Sequence, residues 1–560
     1  MSTQDVGGLT LDSEPIPSWC DHWRGDSNVL LVAPHGGRRR PLDPTAPPAN
    51  ARVNDVYTPE ITRALAARLE AGGIVNAAMD RNTLDLNRTS QVRRAARWYL
   101  RLLVREIEVI IARHGSVQVV FVHGWNTGRP TCDIGIGATE TPSGLVIPDG
   151  ASLTIGQEYL EHRIGALRAA CANEGIDAFL GARYPASHPN NVLQLFRAHT
   201  RYPDDPEVRR LAAWAAAAQV DAWQLELGIP LRWPGEWCDR FLDVMTRVFR
   251  KVAAATPQPA GLCTAPGEDA SPSVASPASM SRWRPGPAEL TTTPEVTTKA
   301  LQFYDPARDV GVLAGVGSLG AATAGRLLVF LGGQRIALFT GEDFSGRGNR
   351  VGPLRFVPTT GGVRLQFDGP MLMLDDAAVY LDLEDAFAKS RLVRATLDVH
   401  FGATHRTGGG TELQFGAVTG ELDLEERRVI ATRAFGNVAL LRGGEGHAMV
   451  AADFGRRGAV VARGSADRTP AAVYFQDGAT PVDGTHLTVT TKADRYTPET
   501  LAWHAPDQPP LMGRPMSCMA ILRSTGRGQY LRVAFGVAQF TWGTDEGYGF
   551  YEYAASLSSR

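Results

Sequence analysis

The chain contains few lysines, few cysteines and no long apolar run. Only four of its 57 basic residues are lysines and the net charge is -2, so no basic face for nucleic acid is indicated. Its six cysteines are scattered without CxxC spacing, which indicates neither a disulfide framework nor a zinc knuckle. No apolar segment approaches the roughly 20 residues that cross a bilayer, and residues 1–15 lack the basic start and apolar core of a signal peptide. We therefore expect a cytoplasmic protein without nucleic-acid or membrane partners.

The length and composition predict a globular protein with at least two domains. A chain of 560 residues is too long for one ordinary core, and its 44% hydrophobic and 21% charged residues are typical of globular proteins. Between about 256 and 297, proline, serine and alanine alternate without an apolar period, which predicts a linker. We expect residues 1–255 and 298–560 to form separate domains.

The segment 1–255 alternates strand-like and helix-like stretches. An apolar run over 29–32 predicts a buried strand, and Thr58-Pro59 is a typical helix start. One long amphipathic helix is predicted over 90–115, before a second strand at 117–122. Alternation of this kind predicts an α/β domain with a largely parallel sheet covered on both faces.

From about 298 onward, short runs of β-branched and aromatic residues are divided by glycine turns. This pattern predicts an all-β domain, either a barrel or a pair of half-barrels. Gly315, Gly317 and Gly320 form a GxGxxG pattern, which is the motif of dinucleotide-binding folds. Such a fold continues with helices and strands in alternation, whereas the following sequence is almost purely β. We therefore favour β-strands here over a nicotinamide-binding domain.

Polar side chains follow three strand-like runs of the first domain. His35 and His123 come at the ends of two runs, and Glu226 lies toward the end of a third. In open α/β sheets, functional groups gather beyond the carboxyl ends of the strands. We therefore expect these three residues to share one site.

Two histidines and a carboxylate form the ligand set that a catalytic zinc ion prefers. His35 and His123 supply the imidazoles, and Asp55, just before the first helix, is the preferred third ligand, with Glu60 in reserve. Zinc lowers the pKa of its water toward about 7, which makes hydroxide available at neutral pH. Glu226 is the candidate general base and acid that moves the proton.

Six short motifs of the first domain resemble the N-formylglutamate amidohydrolase family, which is related in fold to the zinc carboxypeptidases. They are APHGG, NDVYTPEITRAL, AMDRNTLDLNR, VHGW, CDIGIG and WQLELG, and they lie within about 25–250. The DLNR element at 85–88 is the sharpest of them. The resemblance implies zinc at His35, Asp55 and His123, catalysis by Glu226, and a substrate carboxylate held by Arg81, Asn87 and Arg88.

The second domain resembles the lipocalin-like family of hydroxyneurosporene synthase and AttH proteins. The resemblance depends on FYDPARDVGVLAGVGS, GAVTGELDL and GYGFYEYA and covers about 300–556. It implies two lipocalin-like β-barrel units that can enclose a hydrophobic ligand, some relatives being hydratases or cyclases.

These features support two functional hypotheses. The favoured one is a zinc-dependent hydrolase that cleaves the amide bond of an N-acyl amino acid or a related small-molecule amide with a carboxylate. The alternative is a binding or tailoring protein that acts through the lipocalin-like domain and keeps the α/β domain as a scaffold. The sequence leaves open the acyl group, the amino acid, the metal loaded in vivo and the oligomeric state.

Overall fold

A computed structural model gives the structure of the chain. It describes residues 15–39, 52–250, 298–319, 322–344, 348–406, 412–438, 447–454, 459–465, 471–475, 478–482, 486–492, 497–506, 508–526 and 529–557. The predicted linker at 256–297 lies outside these residues, and the domain boundaries drawn from composition stay predictions.

The first half of the chain is an α/β unit. Its strands are β1 (Cys20–Trp23), β2 (Val29–Ala33), β3 (Gly72–Asn76), β4 (Val117–Trp125), β5 (Thr131–Gly135), β6 (Thr139–Thr141), β7 (Gly144–Val146), β8 (Asp177–Leu180) and β9 (Val220–Gly228). Its helices are α1 (Thr58–Leu69), α2 (Thr89–Ala95), α3 (Arg97–His114), α4 (Gln157–Tyr159), α5 (Gly165–Asn173), α6 (Pro206–Ala216), α7 (Ile229–Arg232) and α8 (Glu236–Phe249).

Seven of these strands form one sheet in the order β1-β3-β2-β4-β9-β5-β8. The neighbours β3, β2, β4 and β9 run parallel, as do β5 and β8. The edge strand β1 is antiparallel to β3, and β5 is antiparallel to β9. The predicted, largely parallel sheet is therefore confirmed, with two antiparallel pairings that the sequence pattern did not indicate.

Helices cover both faces of this sheet. One buried cluster packs α1, α5 and α8 against one face, and another packs α3 and α6 against the opposite face. The central strands β2 and β4 are buried along almost their whole length, as their continuous apolar runs predict. The strands that lead to His35 and His123 are therefore buried in the core of the unit.

Two helix predictions differ from the structure in detail. Helix α1 starts at the predicted Thr58-Pro59 pair, but Thr58 is its first residue and not its cap. The cap position is Tyr57, which has a left-handed φ of 68° and makes no side-chain cap bond. The single long helix predicted over 90–115 is divided at Ala96 into α2 and α3. Ala96 is fully buried and has φ -133° and ψ 51°, so tertiary packing overrides a sequence that favours continuous helix.

The second half is built almost entirely of antiparallel β-strands. The first group is β10 (Thr298–Asp305), β11 (Val310–Leu319), β12 (Ala322–Leu331), β13 (Arg335–Asp343), β14 (Arg350–Val351), β15 (Leu354–Thr359), β16 (Gly362–Leu374), β17 (Arg391–Arg406), β18 (Glu412–Leu424) and β19 (Glu426–Val438). The second group is β20 (His447–Asp453), β21 (Ala459–Ser465), β22 (Ala471–Phe475), β23 (Gly478–Val482), β24 (His486–Thr491), β25 (Pro498–His504), β26 (Leu511–Pro515), β27 (Met519–Gly526), β28 (Gln529–Trp542) and β29 (Asp545–Leu557). One helix, α9 (Leu383–Lys389), lies between β16 and β17.

The first group forms a nearly closed antiparallel barrel. Strands follow the order β13-β12-β11-β10-β19-β18-β17-β16-β15-β14, and β13 also pairs with β16. Alternate side chains from these strands form one buried cluster that includes Phe303, Phe339 and Phe401. Of the GxGxxG pattern, Gly315 and Gly317 lie in β11 and pair with Arg326 and Ala324 of the antiparallel strand β12, while Gly320 lies outside the described residues. This pairing supports the rejection of a dinucleotide fold.

Eight strands of the second group form a sheet that packs against the outside of the barrel, and the other two, β22 and β23, pair with each other. The path of the sheet is β21-β20-β29-β28-β26-β25-β24, and β27 pairs with β28. Phe330 of the barrel and Phe550 of this sheet lie with ring centroids 6.2 Å apart inside a shared apolar cluster. The predicted all-β barrel is observed in the first group, whereas two lipocalin-like barrel units stay a prediction.

The two halves of the chain are in contact. The Gly128 N–H donates to the Thr340 carbonyl over 2.6 Å, and Arg129 donates to the Glu342 carbonyl. An apolar cluster joins Val56 and Trp233 of the first half to Phe387 of α9. Among the described helices, none combines the length and apolarity that crossing a membrane requires.

Candidate metal centre

The sheet brings the predicted site residues to one edge. His35 follows β2 by two positions, while His123 and Glu226 lie near the ends of the adjacent strands β4 and β9. His123 and Glu226 are paired in register, and Asp133 of β5 pairs with Glu226 on its other side. The expected convergence at the carboxyl edge is therefore observed.

Glycine allows the chain to turn sharply after His35. A Cβ atom at Gly36 would lie 2.2 Å from the Cγ of Pro59 and 2.6 Å from the Asn76 carbonyl oxygen. No larger residue fits there without moving backbone. The Asp55 N–H donates to the His35 carbonyl over 2.8 Å, so this tight turn also holds the loop that carries Asp55.

His35, Asp55 and His123 form a nearly equilateral triangle of potential ligand atoms. The Nδ1 atoms of the two histidines are 3.1 Å apart, and each lies 3.3 Å from Oδ2 of Asp55. All three side chains are buried. Glu60, the reserve ligand, is exposed on the first turn of α1 and lies outside this group.

The triangle has the dimensions of a zinc site. Tetrahedral ligands about 2.0 Å from a zinc ion are about 3.3 Å from one another, with nitrogen and carboxylate oxygen among the preferred donors. Burial lowers the pKa of His123 to about 4, although Asp55 acts in the opposite direction, so this imidazole is neutral and available as a ligand at neutral pH. The residues present therefore fit a zinc ion.

Asp85 orients the His35 ring from the side opposite the triangle. Its Oδ1 atom lies 2.7 Å from Nε2 of His35. Because an ionised carboxylate only accepts hydrogen bonds, Nε2 carries the proton and, in the neutral ring, Nδ1 presents a lone pair to His123 and Asp55. Burial raises the pKa of Asp85, but the charge and hydrogen bond of His35 outweigh burial and the net pKa is low. A carboxylate behind a ligating histidine is a regular feature of zinc sites.

Arg81 contacts the Asp55 carboxylate directly. Its Nη1 donates to Oδ1 of Asp55 over 3.1 Å and to the Val53 carbonyl over 3.3 Å. Burial raises the pKa of Asp55, yet the Arg81 charge and the hydrogen bond with His123 hold it well below its usual range. Asp55 is thus an anion with one oxygen on Arg81 and the other facing the imidazoles.

A cationic cleft of about 320 Å³ adjoins the triangle. It is lined by Arg52, Arg81, Asn82, Asp85, Arg88, Gln91 and Asn190. Burial and the charges of Arg88 and Arg81 lower the pKa of Arg52. Such an arrangement favours a carboxylate guest. Asn87 lies beside the cleft, where its N–H donates to Asp85 over 3.0 Å and its Oδ1 is buried without a described partner.

Glu226 is a buried carboxyl group with little compensation for its charge. Its Oε1 accepts a hydrogen bond from the Gln224 side chain over 2.7 Å. Burial, together with the nearby charges of Asp55 and Asp133, raises the pKa of Glu226 well above its usual value, although Arg81 acts in the opposite direction. A raised pKa is what a group needs in order to take up and release a proton near neutral pH.

Two supporting residues of the centre were not identified from the sequence. Asp85 was noted only as part of the DLNR motif. The structure shows that its carboxylate accepts a hydrogen bond from Nε2 of His35 and so orients the ring. Arg232 is buried beside Gly124, where a Cβ atom would lie 2.2 Å from its Nη1. It donates to the Val56 carbonyl over 2.7 Å and to Asn126 over 2.6 Å. No local pattern marks Arg232, because its partners come from distant segments.

Comparisons with known proteins give only weak likenesses. No protein-family model matches the chain, and no curated protein matches it. Three solved structures are similar to parts of it. N-formylglutamate amidohydrolase from Ralstonia eutropha JMP134 has 13% identity and a TM-score of 0.29 over 42% of this chain and 96% of that one. A structure described as AttH from Nitrosomonas europaea has 12% identity and a TM-score of 0.32 over 46% and 90%. Kievitone hydratase from Nectria haematococca has 10% identity and a TM-score of 0.30 over 46% and 88%.

Proposed function

We propose that this chain is a zinc-dependent hydrolase that cleaves the amide bond of an N-acyl amino acid or a related amide with a free carboxylate. The observation that carries the proposal is the buried triangle of His35 Nδ1, His123 Nδ1 and Asp55 Oδ2, with edges of 3.1–3.3 Å. The motifs that resemble N-formylglutamate amidohydrolases supply the same three residues independently.

The three triangle residues would hold the zinc ion. When bound, zinc supplies Lewis acidity and lowers the pKa of a water molecule toward about 7. Asp85 fixes the ring of His35, and Arg81 fixes one oxygen of Asp55. The chain thereby keeps two nitrogen atoms and one oxygen atom facing the same point before any ligand arrives.

Glu226 would act as the general base and then as the general acid. It takes a proton from the water that attacks the acyl carbon and gives a proton to the amine as the carbon–nitrogen bond breaks. Its position beside His123 in the sheet places it at the same edge as the triangle. Its raised pKa suits both halves of this transfer.

The arginine cleft would hold the carboxylate of the substrate. Arg52 and Arg88 line the cleft, and Arg81 lines it too while contacting Asp55. A guanidinium fork binds a carboxylate through two parallel hydrogen bonds. An anchored carboxylate next to the triangle would orient the neighbouring amide for attack.

Metal analysis and a substrate panel test the proposed function. We expect full-length protein to bind one equivalent of zinc and to hydrolyse N-acyl amino acids, but not the matched N-acyl amino-acid amides that lack the carboxylate. A wild-type protein that binds no zinc, or one that hydrolyses both series equally, would contradict the proposal.

Replacing Asp85 with asparagine should weaken zinc binding about 10-fold, the lower end of the effect typical of residues behind a metal ligand. Asparagine keeps the size of the side chain but loses the negative charge that makes His35 a stronger electron-pair donor to the metal. Competition with a chromophoric chelator measures the change. Asp204→Asn, at an exposed position before α6, is the matched control. Equal affinities for wild type and Asp85→Asn would show that Asp85 does not support the ligand.

Replacing Arg88 with methionine should raise KM about 10-fold or more with a smaller effect on kcat, since a hydrogen bond to a charged group contributes about 1.5–3 kcal/mol. Steady-state kinetics on the best substrate of the panel give both constants. Arg94→Met, at an exposed position of α2, is the control. A KM that stays at the wild-type value would place the carboxylate elsewhere.

A further inference from the structure

A carboxylate from the β half reaches the loop that carries Asp55. Glu384 lies on α9 and is buried. Its Oε1 accepts a hydrogen bond from the Arg39 N–H over 2.7 Å, and its Oε2 accepts from both the N–H and the Nδ2 of Asn54, each over 3.0 Å. One side chain therefore joins the segments that follow His35 and precede Asp55.

Asn54 also hydrogen-bonds to the segment that contains Asp80 and Arg81. Its Nδ2 also donates to Asp80 over 2.9 Å, and its Oδ1 accepts from the Arg81 N–H over 3.0 Å. Arg81 in turn donates to Asp55. A hydrogen-bonded path therefore runs from Glu384 through Asn54 and Arg81 to Asp55.

Attachment of the two halves does not require this carboxylate. The apolar cluster of Val56, Ile229 and Trp233 with Leu372 and Phe387 already buries surface between them. Burial of a carboxylate is costly unless hydrogen bonds compensate for it. The described hydrogen bonds of Glu384 come from Asn54, which adjoins Asp55, and from Arg39, four positions after His35. Its contribution is therefore to hold these two segments together.

We propose that Glu384 is a positioning residue for the metal centre, so that the β half completes the hydrolase site of the α/β half. The inference rests on the proposed function. Charge-assisted bonds to two backbone N–H groups and one amide fix the loop before the ligands are engaged. In this arrangement, the β half acts as a support for the site.

Two measurements on the full-length protein test this role. Glu384→Gln places an NH₂ group against one of the N–H donors, so we expect zinc affinity to fall about 10- to 100-fold in chelator competition. We also expect faster hydrogen exchange in peptides covering 52–56 of the metal-free protein. Asp385→Asn is the control, because Asp385 lies one position further along α9 and pairs with Lys389 at the surface. This control should match wild type in both measurements.

The outcomes separate this inference from the function on which it rests. If wild type binds zinc and Glu384→Gln binds it equally well, the positioning role is wrong while the hydrolase proposal stands. If wild type binds no zinc, the proposed function fails, and hydrogen exchange alone decides whether Glu384 holds the loop. Should Glu384→Gln not fold, Asn54→Ser removes the same side-chain bond from the opposite partner and is expected to give the same two changes.

Discussion

Replacing Glu226 with glutamine should lower kcat about 10³-fold, which corresponds to about 4 kcal/mol of activation free energy. Glutamine fills the same volume and can keep the contact with Gln224, but it neither accepts nor returns a proton. Zinc content should stay at the wild-type level, because Glu226 lies outside the triangle of ligand atoms. Metal analysis and steady-state kinetics on the same preparation measure both quantities.

Glu236→Gln is the matched control for this experiment. Glu236 is exposed at the start of α8, where it pairs with Arg240, and the substitution removes the same charge. We expect its kcat to equal that of wild type. A Glu226→Gln protein that binds zinc and turns over within twofold of wild type would exclude Glu226 as the general base.

The location of the centre could be predicted from local sequence patterns. Continuous apolar runs predict buried parallel strands, and parallel strands bring their carboxyl ends to one edge of a sheet. His35, His123 and Glu226 each follow or end such a run, so their convergence follows from strand position alone. Asp55 lies on a loop where no periodic pattern operates. It was preferred over Glu60 as the third ligand for its place before the first helix, and the resemblance to a known family implies the same residue.

The support of the centre could not be predicted in the same way. Glu384 contacts Asn54 across 330 positions of sequence, and Arg232 contacts Val56 across 176. Such contacts depend on how whole units pack, which a local period of two or 3.6 residues does not encode. The break at Ala96 has the same origin, because the neighbouring Arg94, Ala95 and Arg97 favour helix while Ala96 itself is fully buried.

The role of Asp85 illustrates a further limit of sequence patterns. A carboxylate in a turn is most simply explained by bonds to its own backbone, and Asp85 does accept the Asn87 N–H. Its second oxygen also faces Arg52 at 3.2 Å, and its first faces His35. The Asp85 carboxylate therefore contacts the turn, an arginine of the cleft and the candidate ligand His35. The last two contacts come from distant segments and are seen only in the three-dimensional structure.

Replacing His123 should abolish zinc binding at the centre. With only His35 and Asp55 left, we expect affinity to fall by more than about 100-fold, beyond the range typical of residues behind a ligand. His123→Gln keeps more of the buried volume than His123→Ala and is the preferred variant, because His123 is fully enclosed in β4. Hydrolysis should fall to background at zinc concentrations that saturate wild type.

Thermal unfolding gives a readout of this loss that does not depend on turnover. A ligand that binds only the folded state stabilises it by about 2.7 kcal/mol at 100 times its Kd, so zinc should raise the unfolding midpoint of wild type. The same zinc concentration should leave the midpoint of His123→Gln unchanged. His162→Ala replaces an exposed histidine whose ring hydrogen-bonds to the Glu158 carbonyl, and this variant should respond like wild type. If His123→Gln were stabilised by zinc as strongly as wild type, the triangle would not be the metal site, and the proposed hydrolase chemistry would lose its basis.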